Sequence, residues 1–208
     1  MKSNLKIPYG VSDFKRLRSE GYYFVDKSMY IRTLELCGSF LFFVRPRRFG
    51  KSLFLSMLRC YYDSAEKENF DALFGDLDIA REPTEYRNRY QVLTFDFSQV
   101  NKGEGDTLAA RFENYIGKRL DEFIKVYGGS YGDEFVRDFQ TETPANKFNM
   151  LVGRAQTNGL HLYLMLDEYD NFTNAMLNPL VRSSIVTGDT PVMKMRSKFP
   201  LNDLNHSR

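Results

Sequence analysis

Tryptophan is absent from this sequence, and cysteine and histidine occur only twice each. Two cysteines, Cys37 and Cys60, are too few for a disulfide framework, and they lack the paired spacing of a structural zinc site. Their apolar sequence neighbours predict that both are core thiols. The histidines, His161 and His206, stand far apart without an evident partner and receive no role.

Long apolar runs and an excess of one charge are also missing. No stretch reaches the roughly 18 to 20 apolar residues that a membrane-spanning helix needs, and no apolar segment typical of a signal peptide follows the first residues. We therefore expect a cytoplasmic protein without a membrane partner. The 29 basic and 27 acidic residues neither require nor exclude nucleic acid as a partner, so local clusters matter more than the net charge.

Apolar and aromatic residues are plentiful, and their spacing alternates between strand and helix patterns. The hydrophobic fraction is 42%, with 18 phenylalanines and 13 tyrosines, which excludes an intrinsically disordered chain. Short continuous apolar runs are typical of strands buried on both faces, and 3.6-residue spacing is typical of helices between them. The predicted strands are Phe40–Val44, Gln91–Phe97 and Leu162–Leu166, and the longer predicted helices are Lys51–Tyr62, Thr107–Val126 and Pro144–Thr157. This alternation predicts an α/β domain with a mainly parallel sheet covered on both sides.

Two shorter helices are predicted before the first strand. Ser12 is a plausible N-cap for a helix ending near residue 20, and Asp26 is a plausible cap for a helix that continues to Leu36. The polar stretch 63–90 predicts short helices and loops.

The segment between the first strand and the following helix has the chemistry of a phosphate-binding loop. Gly50, Lys51 and Ser52 open the helix, where backbone N–H groups and the positive end of the helix dipole bind anions. Lys51 would reach the β- and γ-phosphates, and the Ser52 hydroxyl would bind Mg²⁺. The first glycine of the usual pattern is replaced by Arg45, whose guanidinium is suited to phosphate. A basic strand-to-helix turn without a ligand is the alternative.

The strand at 162–166 ends in two acids, as Walker B strands do. Asp167 would hold Mg²⁺ through its water shell, and Glu168 would polarise the attacking water. A strand that ends in a solvated acidic loop is the alternative for this segment alone. Because ligands of open α/β sheets bind at the carboxyl ends of strands, the two segments together favour one shared nucleotide site.

Taken together, these segments resemble the bacterial AAA-ATPase-like family. The similarity lies in Arg45–Leu53 and Leu166–Asn171, supported by Ile7–Gly10 and Tyr22–Ser28, and it covers about residues 5 to 178. It implies a three-layer domain of the P-loop NTPase type that uses ATP and Mg²⁺, and it makes an arginine at position 45 a family trait. It also implies that Asp26 and Lys27 line the pocket for the nucleotide base.

The resemblance and the loop chemistry together define the predicted site. Lys51 and Glu168 are the predicted catalytic residues, and Ser52 and Asp167 the predicted Mg²⁺ ligands. The predicted nucleotide-binding residues are Arg45, Pro46, Arg47, Arg48, Phe49, Gly50, Lys51, Ser52 and Leu53.

The end of the chain departs from the family pattern. We expect an AAA-ATPase-like domain over residues 1–178 and an atypical polar tail over 179–208, with a remnant sensor strand at 184–188 that would place Thr187 near the γ-phosphate. Family members carry a nuclease-like domain at their C-terminal end, and we expect no such domain in this sequence. The tail is interpreted as an internal deletion or as a truncated or frameshifted end.

Two functional hypotheses follow. The first is a Mg²⁺-dependent ATPase-like domain that acts as a nucleotide switch. The alternative is a catalytically impaired remnant or binding module whose basic loop contacts nucleic acid or a protein partner, and family analogy adds a nuclease-like domain as a partner. The sequence does not predict the oligomeric state.

Overall fold

The protein is described by a computed structural model that covers residues 6–38, 40–44, 49–102, 105, 107–168 and 192–196. Four parallel strands form the sheet: β1 (Phe40–Val44), β2 (Gln91–Asp96), β3 (Leu162–Asp167) and β4 (Val192–Arg196). Their order across the sheet is β1-β4-β3-β2. The chain is therefore an α/β protein with a parallel sheet, as the alternating pattern predicts.

Eight α-helices lie within the described residues that precede β3. They are α1 (Phe14–Ser19), α2 (Tyr30–Glu35), α3 (Lys51–Tyr62), α4 (Phe70–Phe74), α5 (Asp78–Arg81), α6 (Leu108–Tyr127), α7 (Asp133–Thr141) and α8 (Pro144–Thr157). Short 3-10 turns lie at Ser64–Asn69, Phe97–Lys102 and Gly128–Ser130. None of the helices in the described ranges combines the length and the apolar composition needed to span a bilayer.

Strand β3 shows how the sheet is buried on both faces. Its side chains alternate between the two faces, as in any strand. Leu162, Leu164 and Leu166 belong to one hydrophobic cluster, whereas Tyr163 and Met165 belong to a second cluster. The first cluster contains side chains of α6, α7 and α8, and the second contains side chains of α1 to α5. The sheet therefore lies between two layers of helices.

The predicted elements agree with the structure where the local signal is strong. The strand at 40–44 and the helices at 51–62 and 144–157 have the predicted bounds. Helix α6 begins and ends one residue later than predicted. It begins later because Thr107 is its N-cap and accepts a hydrogen bond from the Ala110 N–H. The stretch 63–90 forms short helices and turns, as predicted.

Several local predictions are wrong. Asp13, not Ser12, caps α1 by accepting a hydrogen bond from the Arg16 N–H. Helix α2 begins after Met29 without a side-chain cap, so Asp26 does not cap it. Cys60 is buried but Cys37 is exposed, so only one of the two cysteines is a core thiol.

Two elements were not predicted at all. Helix α7 follows the Gly128–Ser130 turn, and strand β4 pairs with both β1 and β3. Strand β4 lies within the stretch expected to be a polar tail. The division of the chain at residue 178 stays a prediction, and the strand predicted at 184–188 lies outside the described residues.

Candidate functional site

Helix α3 is the first helix that follows strand β1 in the chain. Gly50 precedes the helix with a φ of 71°, a left-handed conformation that glycine adopts without steric cost. This turn brings Lys51 and Ser52 into the first helical turn. The free N–H groups of that turn and the helix dipole favour an anion there.

Strand β3 brings two acids to the same edge of the sheet. All six of its residues are buried, and Asp167 is its last residue. Glu168 follows in a left-handed conformation with φ 53°. For a residue with a side chain, this conformation costs roughly 1 kcal/mol. Such strain is found preferentially at functional sites, so Glu168 is a candidate for a role beyond packing.

The two segments meet, although 115 residues separate Ser52 from Asp167. The Ser52 hydroxyl donates a hydrogen bond of 3.1 Å to Oδ2 of Asp167. The Lys51 ammonium lies 3.4 Å from Oδ1 of Asp167 and 3.2 Å from Oε1 of Glu168. The sheet edge therefore holds a lysine, a hydroxyl and two carboxylates in mutual contact.

Burial makes these contacts electrostatically significant. The Lys51 side chain is only 8% exposed, and a charge so far from water requires partners of opposite sign. Burial raises the pKa of Asp167, although the Lys51 ammonium and the Ser52 hydroxyl each act to lower it. Buried charged side chains with perturbed ionisation at a sheet edge are typical of binding and catalytic sites.

A comparison with protein families identifies the family of this chain. The family model described as "Predicted AAA-ATPase" matches residues 8–195. The chain belongs to this predicted AAA-ATPase family.

One curated protein is similar to this chain over most of the chain's length. This AAA-ATPase family member is 29% identical over 185 residues to an uncharacterised protein in the vnfD 5′ region of Azotobacter chroococcum mcd 1. The match covers 88% of this chain and 32% of the relative, so the chain spans about a third of the length of that relative. No solved structure matches the chain.

A cavity of about 220 Å³ adjoins the start of α3. Phe49, Gly50 and Leu53 line it on the side of the helix. The opposite side is formed by the N-terminal segment, through Pro8, Leu17, Tyr23, Phe24, Val25 and Lys27. Most of this lining is apolar or aromatic, which suits a flat, weakly polar ring rather than a charged group.

The oxygen atoms of Ser52 and Asp167 fit a magnesium ion. Their separation is 3.1 Å, so an ion bound by the Ser52 hydroxyl would have the Asp167 carboxylate within reach of its water shell, as predicted. Within the described residues, no group of three or more His, Cys, Asp and Glu side chains is placed to share a metal. A site with one hydroxyl and one carboxylate is compatible with Mg²⁺, which binds through one or two protein groups, water and substrate phosphates.

The structure brings only part of the predicted site together. Lys51, Ser52, Asp167 and Glu168 are in contact, and Phe49, Gly50 and Leu53 border the adjoining cavity. Four loop residues and the predicted sensor residue lie outside the described residues: Arg45, Pro46, Arg47, Arg48 and Thr187.

The carboxylates of Asp26 and Asp96 accept hydrogen bonds from other residues of the fold. The Asp26 carboxylate accepts hydrogen bonds from the N–H groups of Ser28 and Asp78, and of the pair Asp26 and Lys27 only Lys27 lines the cavity. Asp96 lies in register with Asp167. Its carboxylate nevertheless accepts hydrogen bonds from the Ser98 N–H and the Gln99 amide, as expected for a strand-end cap.

Sequence reasoning did not find the apolar wall of the cavity. Pro8, Tyr23 and Val25 belong to a segment with little regular structure: only an isolated bridge joins Lys6 to Tyr22. The available signal was a set of apolar residues in a loop-rich segment. Tyr23 and Val25 are 52% and 57% exposed.

Proposed function

We propose that this chain is the nucleotide-binding part of a Mg²⁺-dependent ATPase that acts as a nucleotide switch, with the P-loop type of three-layer domain. The observation that carries the proposal is the contact of Lys51 and Ser52 with Asp167 and Glu168 at the end of β3. Lysine, serine and two acids at one sheet edge are the groups that phosphoryl transfer from a nucleotide requires.

Each residue has a role that its position supports. Lys51 would bind the β- and γ-phosphates, since its ammonium lies at the anion-binding start of α3. Ser52 and Asp167 would hold Mg²⁺, which would neutralise phosphate charge. In binding phosphate, Lys51 would exchange its contacts with the two carboxylates for phosphate oxygens. Glu168 would then be available to orient and deprotonate the attacking water.

The adjoining cavity supports a nucleotide rather than a simple phosphate. It lies next to Gly50 and is lined largely by apolar and aromatic side chains. A purine ring would be held there by apolar contact, with its phosphates directed along the Phe49–Ser52 turn. The nucleotide-binding roles of Arg45, Pro46, Arg47 and Arg48 remain part of the proposal, because this segment follows β1 directly in the sequence and three of its four side chains are basic.

The test is Mg²⁺-dependent phosphate release, measured for the parent and for Glu168→Gln. We expect the variant to bind ATP with an affinity within a factor of about three of the parent and to release phosphate roughly 100-fold or more slowly. Glu122→Gln is the matched control, because Glu122 is partly exposed on α6 with an arginine partner, and it should retain full turnover.

The other outcomes are equally informative. Equal turnover in Glu168→Gln would remove Glu168 from the mechanism. ATP binding without phosphate release in the parent would leave a nucleotide-binding module without hydrolysis. A parent that binds no ATP would overturn the proposal.

A further inference from the structure

A second basic surface lies at the opposite end of α3 from Lys51. A concavity of about 660 Å³ is lined by Lys67, Pro83, Thr84, Glu85, Arg87, Asn88 and Arg89. Three of these side chains are cationic and one is a carboxylate. Helix α3 ends at Tyr62, and 12 residues at about 1.5 Å per residue separate the two ends by about 18 Å. This surface, which we term the basic concavity, is distinct from the nucleotide site.

Its cations are not committed to ion pairs. Within the described ranges no carboxylate forms a salt bridge with Lys67, Arg87 or Arg89, and Glu85 is the one carboxylate in the lining of the concavity. Glu66 pairs with Lys15, and Asp63 accepts a hydrogen bond from Tyr127. The remaining charges are therefore available to an anionic ligand.

The backbone that carries these cations is fixed. Asn88 is 9% exposed and has a left-handed φ of 53°. Its N–H donates to the Tyr61 carbonyl at 2.9 Å, and its side-chain amide donates to the Asp63 carbonyl at 2.7 Å. The Tyr90 N–H donates to the Tyr62 carbonyl at 2.9 Å. Arg87 and Arg89 flank the buried Asn88 in the sequence, and both are exposed and line the basic concavity.

Aromatic side chains are interleaved with these arginines in the run Tyr86-Arg87-Asn88-Arg89-Tyr90. Tyr86 is 38% exposed, and its ring lies 6.3 Å from the Tyr90 ring. The Arg87 guanidinium is oriented by the Phe70 ring, whose centroid is 4.5 Å away. Surfaces that bind single-stranded nucleic acid combine cations that contact the phosphate backbone with exposed aromatic rings on which bases stack.

We propose that the basic concavity binds single-stranded nucleic acid, with Arg87, Arg89 and Lys67 on backbone phosphates and Tyr86 stacked on a base. The proposal does not depend on ATP binding at the other end of α3. Recognition would be largely independent of sequence, because phosphates and base faces are common to every strand.

The experiment measures the fluorescence anisotropy of a labelled 20-nucleotide oligo-dT with the full chain at several salt concentrations. We expect parent binding in the range of about 1 to 100 µM. The Arg87→Glu and Arg89→Glu double variant should bind at least about tenfold more weakly. If its two phosphate contacts are lost, the slope of log affinity against log salt should fall by about 1.4.

The matched control is Lys118→Glu combined with Arg137→Glu. Both residues are exposed and belong to α6 and α7, which pack on the other face of the sheet. This control changes the net charge by the same amount and should bind nearly as well as the parent. If both double variants bind oligo-dT equally weakly, the loss of affinity comes from net charge alone, and the proposal is wrong. Thermal melts establish that each variant is folded, and Lys67→Glu provides a second, independent test of the same surface.

Two further variants distinguish the basic concavity from the nucleotide site and from a general polyanion surface. Lys51→Ala should bind oligo-dT as the parent does, and a loss comparable to that of the arginine variant would assign the binding to the nucleotide site instead. Tyr86→Ala should weaken oligo-dT binding about fivefold or more through lost stacking and leave heparin binding unchanged. A surface that binds heparin as tightly as oligo-dT, with no effect of Tyr86→Ala, would be a general polyanion surface, and the proposal would fail.

Discussion

A buried aspartate lies at each end of helix α3. Comparing these two aspartates distinguishes the candidate binding site from a hydrogen-bond network that holds the fold together. Asp167 faces the start of the helix and is 7% exposed, and Asp63 follows its end and is 8% exposed. Burial raises the pKa of both carboxyl groups. Neither burial nor a perturbed pKa therefore distinguishes the two residues.

Their partners do distinguish them. Asp63 accepts hydrogen bonds from the Ala65 N–H and the Tyr127 hydroxyl, groups that hold one segment of the fold against another. Asp167 contacts the Lys51 ammonium and the Ser52 hydroxyl, which are groups of the kind that bind phosphate and Mg²⁺ in phosphoryl-transfer sites, and α3 also borders the cavity through Leu53. The difference shows that exchangeable partners, rather than burial, mark the candidate site.

The sharpest test of this comparison substitutes asparagine for each aspartate. We expect Asp167→Asn to weaken Mg²⁺-dependent ATP binding about 10- to 100-fold, because a neutral amide attracts the hydrated ion less than a carboxylate does. Asp63→Asn should leave ATP affinity unchanged within about twofold. Titration calorimetry with and without Mg²⁺ measures both. A comparable loss in the two variants would mean that the two ends of α3 are not functionally different.

A substitution beside Asp63, at the carboxyl-terminal end of α3, should change the stability of the fold. Tyr127→Phe removes the hydroxyl that donates to Asp63 and leaves that buried carboxylate short of a partner, which should lower the free energy of unfolding by about 1–3 kcal/mol. Urea denaturation measures the change, and Tyr86→Phe, which removes a hydroxyl from a partly exposed tyrosine, serves as the control. If Tyr127→Phe unfolds at the same urea concentration as the parent, the network at this end contributes little.

The smallest expected effect is a pH dependence. Because burial raises the pKa of Asp63 above its ordinary value of 3.8, the folded state holds the proton more tightly than the unfolded state does. The resulting stabilisation is fully present below about pH 3.8 and is lost as the pH rises through the folded-state pKa. The Asp63→Asn variant, which does not titrate there, should gain stability relative to the parent as the pH rises above about 4. Thermal melts of the pair across this range test the sign, and a difference that is constant with pH would contradict it.

The sequence predicted the elements whose signals are local. Strand β1 and helices α3 and α8 combine strong periodicity with clear ends, such as the left-handed Gly50 before α3 and Pro144 in the first turn of α8. The candidate acids and the lysine were also predictable, because a Gly-Lys-Ser turn and an Asp-Glu strand end must both lie at the carboxyl edge of a parallel sheet.

The remaining elements depend on distant parts of the chain. Helix α7 has nine residues and follows Gly132 without a side-chain cap, and only Phe135 and Phe139 are buried, so its local signal is weak. Strand β4 includes Lys194 and Arg196, which argue against a buried strand, and its position is set by pairing with β1 and β3. The apolar cavity likewise combines the N-terminal segment with α3, a contact that no local pattern encodes.

The most direct measurement is titration calorimetry of Mg²⁺–ATP with the parent, Lys51→Ala and Lys147→Ala. Lys147 is the matched control because its side chain is also 8% exposed and lies 2.6 Å from a carboxylate, that of Asp121. We predict that Lys51→Ala binds at least about 100-fold more weakly than the parent, whereas Lys147→Ala binds normally despite losing a partly buried ion pair. Normal binding by Lys51→Ala, or an equal loss in both variants, would contradict the assignment of the start of α3 as the phosphate-binding site.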